Sequence, residues 1–238
     1  MNTELSLNDA LDVELIRETY SQYGRIHIPE VLKAESAAHL HEALKNEVPW
    51  QTHFNNGGKS YDLHDRQLEA LSDDDRAQLM AQVTANASTQ FQYLFRNYPI
   101  SDAIEQHNNP EQPVHAFQDF VNSDPVLDFI RTITDMDAIR FADCQATLYE
   151  SGHFLTLHND DVDAAGRLVA YVFGFTPNWR PDYGGMLLFL DEDGHVEEGY
   201  MPDFNSLNLF TIPKRHCVSY VTPFAQGGRY SISGWFRR

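Results

Sequence analysis

Three residues have the types, and two of them the spacing, that hold a divalent metal. The tripeptide His158-Asn159-Asp160 closes the run YESGHFLTLHND, residues 149–160. In an extended strand side chains alternate between faces, so an imidazole and a carboxylate two residues apart point the same way. Together they chelate a metal. A second imidazole from a distant strand would complete a two-histidine, one-carboxylate set, which leaves coordination positions open and is diagnostic of non-haem Fe(II) sites. The tripeptide alone is weak: with 11 histidines and 35 acidic residues in 238 such matches arise by chance, and taken singly it reads as a polar surface turn.

The context strengthens it. His216 follows an apolar run and the turn Pro213-Lys214-Arg215, and opens the segment Cys217–Val221. A strand-opening histidine so far along the chain suits the third ligand position. Thirteen residues later Arg229 opens RYSISGWF. By alternation Arg229, Ser231, Ser233 and Trp235 share one face. A buried guanidinium is a bidentate carboxylate site, and the Ser231 hydroxyl can add another hydrogen bond. The distal carboxylate of 2-oxoglutarate fits such a site, with its keto-acid end on the metal. Singly, His216 reads as a turn histidine and Arg229 as a surface arginine; their order on successive strands is what argues for a site.

Those residues need rigid strands to hold them. From Ala138 the chain turns to short strands at regular spacing: 139–149, 154–159, 167–175, 186–190, a short piece near 196–200, 207–212, 217–221 and 229–236. Turns at 163–166, 182–185, 191–194, 213–215 and 226–228 separate them. About eight strands is the number of a double-sheet jelly roll. The first half reads as helices at 14–23, 34–47, from Ser72 to about Arg96, 114–122 and 124–134, with a strand at 24–29 and a hairpin around Asn55-Asn56-Gly57-Gly58. Its histidines, at 27, 39, 41, 53, 64, 107 and 115, lack partners at metal-ligand spacing and read as surface or structural. The expected class is α+β: a double-stranded β-helix (jelly roll, cupin-like) with N-terminal supporting helices. Residues 1–238 read as one domain, with 1–137 mainly helical support and 138–238 the catalytic core.

Net charge is −18. Such a chain repels phosphate backbones, which disfavours nucleic acid and suits a basic protein or a small substrate. No stretch is long and apolar enough to span a membrane, and the first residues are acidic, unlike a signal peptide. Cys144 and Cys217 form no disulfide or metal framework, which points to a reduced, cytoplasmic protein, monomer or homodimer.

The segments YESGHFLTLHND, GRLVAYVFGFTPNWRPDYGGMLLFLDEDG, FNSLNLFTIPKRHCVSYV and GGRYSISGWF together resemble the Fe(II)/2-oxoglutarate-dependent dioxygenases of the prolyl-hydroxylase-like branch. The resemblance covers about residues 138–238. It implies His158, Asp160 and His216 as iron ligands and Arg229 as anchor for the C5 carboxylate of 2-oxoglutarate. It also implies Tyr149 as a co-substrate-binding tyrosine, and Trp235, with Ser233 beside it, near the iron. The implied cofactors are Fe(II), 2-oxoglutarate and O2, with ascorbate as a supporting reductant. Where relatives often carry a tyrosine this chain has Gly174, so a second hydroxyl must come from Ser231 or Tyr149. The expected reaction is hydroxylation of an unactivated C–H, on a prolyl residue of a protein. The alternatives are a hydroxylase of a free amino acid or small metabolite, with loops 105–113 and 160–167 closing over the pocket, and a non-catalytic cupin-like module that binds metal or ligand.

Overall fold

Strands form wherever the sequence alternates or runs apolar between turns, and they join one antiparallel sheet that curls almost closed. The computed structural model describes residues 4–161 and 166–238. In the first half lie β1 (Arg25–Pro29), β2 (Gln51–Asn56), β3 (Lys59–His64) and β4 (Tyr93–Tyr98). In the second lie β5 (Phe141–Ala142), β6 (Gln145–Tyr149), β7 (Phe154–His158), β8 (Arg167–Phe175), β9 (Leu187–Leu190), β10 (Val196–Tyr200), β11 (Phe204–Thr211), β12 (His216–Val218) and β13 (Arg229–Arg237). The lateral order is β1-β11-β8-β13-β6-β4-β7-β12-β9-β10, with β2 added to β4, β3 to β2 and β5 to β13. Neighbours distant in sequence and antiparallel pairing make this a jelly roll. Its two ends, β1 and β10, are joined by side chains: Arg25 Nε donates to Glu198 at 2.6 Å, and its Nη1 lies 3.3 Å from Glu197.

Helices cover the outer face. Val13–Tyr23 begins where the Asp12 carboxylate accepts the Leu15 N–H, and ends at Gly24, whose φ of 64° suits glycine. With Ala34–Asn46 and Asp124–Thr134 it supplies Tyr20, Leu40, Leu44 and Ile130 to a core shared with Tyr171, Phe173, Leu209 and Ile232 of the sheet. The inner face holds a second cluster of Ala170, Leu187, Phe189 and Phe210. Covered on both sides, β8 reads as an apolar run rather than clean alternation. No helix of the described residues is long and apolar enough to cross a membrane.

Two expectations are corrected. The helix from Ser72 stops at Asn86, although Ser72 does cap it by accepting the Asp75 N–H at 3.1 Å. The run up to Arg96 and beyond is instead β4, which pairs with β2 along one edge and with β6 and β7 along the other. Its apolar residues are buried on both faces, which a surface helix would not allow. The strand expected at 139–149 breaks between Ala142 and Gln145, because Asp143 turns aside: its carbonyl accepts from Tyr171 Oη and its carboxylate from the Trp235 N–H. The turn expected at 163–166 lies mostly outside the described residues.

Candidate active site

His158 ends β7 and His216 opens β12, and the two stand opposite each other in the ladder with ring centroids 4.1 Å apart. Between the paired positions Leu155–Val218 and His158–His216, β7 carries one residue more than β12. This bulge lets Leu155 and His158 both face the same cavity, which strict alternation forbids. Asp160 lies past the end of β7 with φ 60°, in the left-handed region. Strand alternation is therefore not what brings it beside His158, which corrects the geometric part of the expectation. The left-handed turn carries its carboxylate back, with Oδ1 3.4 Å from His158 Nε2 and Oδ2 3.5 Å from His216 Nε2.

The ligand atoms of His158, Asp160 and His216 all lie within 4.8 Å of one another, close enough to share one ion. His158 Nδ1–H donates to the Thr156 carbonyl at 3.0 Å, and His216 Nδ1–H to the Lys214 carbonyl at 2.7 Å. Each bond fixes the ring and leaves the Nε2 lone pair for a metal. Burial pushes the His216 pKa down to about 4, with the neighbouring His158 adding to it, so the ring is neutral and ligand-ready at pH 7. Burial alone would raise the Asp160 pKa; the His158 and His216 rings beside it and the Trp235 N–H outweigh it, and the carboxyl ends below its usual range.

The cluster sits in a cavity of about 490 Å³. Deeper in, Arg229 is 4% exposed and lies over the Tyr149 ring, its Cζ 4.9 Å from the ring centroid. Its Nη1 has no hydrogen-bond partner, and among the described residues no carboxylate pairs with it. An unpaired buried guanidinium facing a cavity calls for an anion. Two hydroxyls stand two register positions away: Ser231 Oγ and Thr147 Oγ1 are 2.7 Å apart. The structure places Tyr149, Ser231, Ser233 and Trp235 on the cavity wall. Gly174 is not a hole in that wall, because a Cβ there would stand 2.6 Å from both the Asp203 carbonyl and Ser206 Oγ.

Some wall residues escape a reading of the sequence. Thr147 is found only through its register with Ser231. His53, grouped above with the structural histidines, lines the cavity and stacks on Tyr93 with centroids 4.7 Å apart. Phe91, Tyr93 and Phe95 complete this aromatic side, and Phe95 stacks on Tyr149 at 5.0 Å. No local motif marks them; they arrive because β4 inserts between β6 and β7. Loop 105–113 contributes nothing to this cavity and borders a different groove near the N-terminal segment. Of the 160–167 loop, Asp161 and Arg167 reach the cavity, and residues 162–165 lie outside those described.

A jelly roll that presents two histidines and one carboxylate above a buried arginine has the architecture of the Fe(II)/2-oxoglutarate oxygenases. Residues 144–237 match the model of the 2OG-Fe(II) oxygenase superfamily, and over that segment the chain is similar to its members. The superfamily uses Fe(II), 2-oxoglutarate and O2, and the unpaired Arg229 and metal-ready histidines fit those groups. Mouse prolyl 3-hydroxylase OGFOD1 is 27% identical over 146 residues, covering 58% of this chain and 26% of the mouse protein. The chain thus spans about a quarter of that curated relative. In fold it is similar to a Trichoplax adhaerens prolyl hydroxylase solved with a hypoxia-inducible-factor peptide (TM-score 0.61, 17% identity, 94% of this chain and 88% of that one). It is also similar to a Burkholderia pseudomallei 2OG-Fe(II) oxygenase-family protein (0.60, 12%, 98% and 93%) and a Pseudomonas putida prolyl-4-hydroxylase (0.51, 18%, 95% and 98%).

Proposed function

We propose that this chain is an Fe(II)/2-oxoglutarate-dependent hydroxylase acting on a prolyl residue of a protein. The observation that carries the reading is one cavity with two ends: three metal-ligand side chains within 4.8 Å of one another at one, and an unpaired buried guanidinium at the other. His158, Asp160 and His216 would hold the iron. Arg229 would take the far carboxylate of 2-oxoglutarate, with the Ser231 and Thr147 hydroxyls beside it in place of a tyrosine at Gly174. Bound Fe(II) with 2-oxoglutarate and O2 supplies the oxidising power that converts a C–H to C–OH while 2-oxoglutarate becomes succinate and CO2.

The chain's own residues orient and shield. The Thr156 and Lys214 carbonyls keep both imidazoles turned with Nε2 inward. Phe95 and Tyr149, stacked and buried, keep water from the floor. Phe91, Tyr93 and His53 offer flat faces against which a pyrrolidine ring can pack. The net charge of −18 favours a basic polypeptide. The mouse relative's name, prolyl 3-hydroxylase, and the peptide bound to the Trichoplax enzyme point the same way.

Purified protein supplied with Fe(II), ascorbate and proline-containing peptides should release succinate and gain 16 Da on the peptide. The reading fails if no 2-oxoglutarate turns over and His158→Ala leaves metal content unchanged. A cavity of about 490 Å³ is also the size of a small-metabolite site. A mass shift on a free amino acid, with none on peptides, would favour that second reading.

A further inference from the structure

Asp160 provides the cluster's carboxylate, yet its backbone lies beyond β7 in the left-handed region. The ladder therefore does not hold it. Its carboxylate is gripped by a side chain from the far strand: Trp235 Nε1–H donates to Oδ2 at 3.1 Å. The indole is itself seated firmly. Its backbone N–H donates to Asp143 Oδ1 at 2.8 Å, and Asp143 is paired with Arg237. Its ring face is covered by the Arg167 guanidinium, whose Cζ stands 3.5 Å from the ring centroid. Tryptophan offers the best aromatic face for a cation, and a guanidinium this close holds the ring in place. Gly234 permits the close approach of Asp143, since a Cβ at that position would collide with the Asp143 carbonyl.

Resting on the iron reading above, we propose that Trp235, seated by Arg167, is a positioning residue for the metal: its indole N–H fixes the rotation of the Asp160 carboxylate. One oxygen is tied to the indole, so the carboxylate plane is set before the metal arrives. Without the donor, a carboxylate on a left-handed turn is free to rotate about its Cβ–Cγ bond. Partners of this kind, one bond removed from the metal, are worth 10- to 100-fold in affinity.

The test is Co(II) binding to the full chain, measured by competition with a chelator and by visible absorption, which reports the ligand geometry. Trp235→Phe keeps an aromatic face for Arg167 and removes the donor. It should weaken Co(II) about 10- to 100-fold and change the absorption bands, while the urea midpoint moves little. Arg167→Met, which leaves the indole but removes its support, should shift affinity and spectrum in the same direction by less, and it carries the test if Trp235→Phe folds poorly. Wild-type affinity and an unchanged spectrum in the variant would overturn the proposal while leaving the iron reading intact. A wild-type chain that binds no Co(II) would remove the iron reading itself.

Discussion

The cavity has two unlike sides. The floor is built by β6 and β13 in register, with Arg229 opposite Tyr149, Ser231 opposite Thr147 and Ser233 opposite Gln145. Arg229, Ser231 and Thr147 are buried there, and Arg229 Nη1 has no partner. The mouth is built by β2, β4 and the approach to β4, and it is aromatic, with Phe91 44% exposed. A floor with one buried guanidinium suits one small, invariant anion; an aromatic wall that opens to solvent at Phe91 suits a larger partner that enters and leaves. On the function proposed above, the C-terminal half carries the reaction and the N-terminal half the choice of substrate.

Mutations should separate the two. The largest effect is expected at the metal. His158→Ala or His216→Ala should lower 2-oxoglutarate turnover by roughly a thousandfold or more, because several kcal/mol of stabilisation leaves with the ion, and bound iron should fall in parallel. At the floor, Arg229→Ala should cost about 2–5 kcal/mol in kcat/KM for 2-oxoglutarate. Arg229→Lys should recover little of it, since an ammonium cannot reproduce the bidentate fork. If both variants raise the peptide KM instead and leave that for 2-oxoglutarate untouched, the assignment of floor and mouth is reversed.

The same contrast explains how much the sequence made legible. The floor and the metal ligands were readable because their chemistry is local: His158-Asn159-Asp160, a strand-opening His216, and Arg229 with Ser231 two residues on. Even there the reason differed in part, since Asp160 reaches the cluster through a left-handed turn rather than along a strand. The mouth was not readable. Tyr93 to Tyr98 has enough apolar residues to extend the preceding helix, and only pairing with β2, β6 and β7 decides that it is a strand. His53 joins the wall through that same non-local pairing. Periodicity reports what one segment buries, not which distant segment it is buried against.

The turn between β6 and β7 carries a histidine whose burial makes it a stability sensor. His153 accepts the Glu150 N–H on Nδ1 at 3.0 Å, and burial pushes its pKa from 6.5 down to about 4. The unfolded chain takes up a proton at this residue below pH 6.5 and the folded chain resists until about pH 4. Stability should therefore fall as pH drops through that window and be flat on either side of it. The span corresponds to at most about 3 kcal/mol. Metal-free His216 contributes with the same sign, so the measure is the difference between wild type and His153→Gln in urea unfolding at pH 7 and pH 5. The variant should show a shallower loss; equal slopes would mean that His153 is protonated in the fold without penalty.

The smallest effect is the one that most sharpens the contrast. Phe91 lies tilted against Tyr93 and His158, with centroids 5.6 and 5.3 Å away, and much of its ring is open to solvent. Removing it costs the fold little, because an exposed ring contributes little to the core. If the mouth packs against a prolyl ring, Phe91→Ala forfeits one aromatic contact, worth about 1 kcal/mol, so the peptide KM should rise roughly fivefold. The KM for 2-oxoglutarate should not move, since Arg229 and the Thr147–Ser231 pair lie at the other end of the cavity. Because Phe91 also touches the His158 ring, bound iron must be measured in the same sample. A peptide effect with iron unchanged assigns the mouth to the substrate, whereas loss of iron would make Phe91 a support for the metal and erase the division between the two sides.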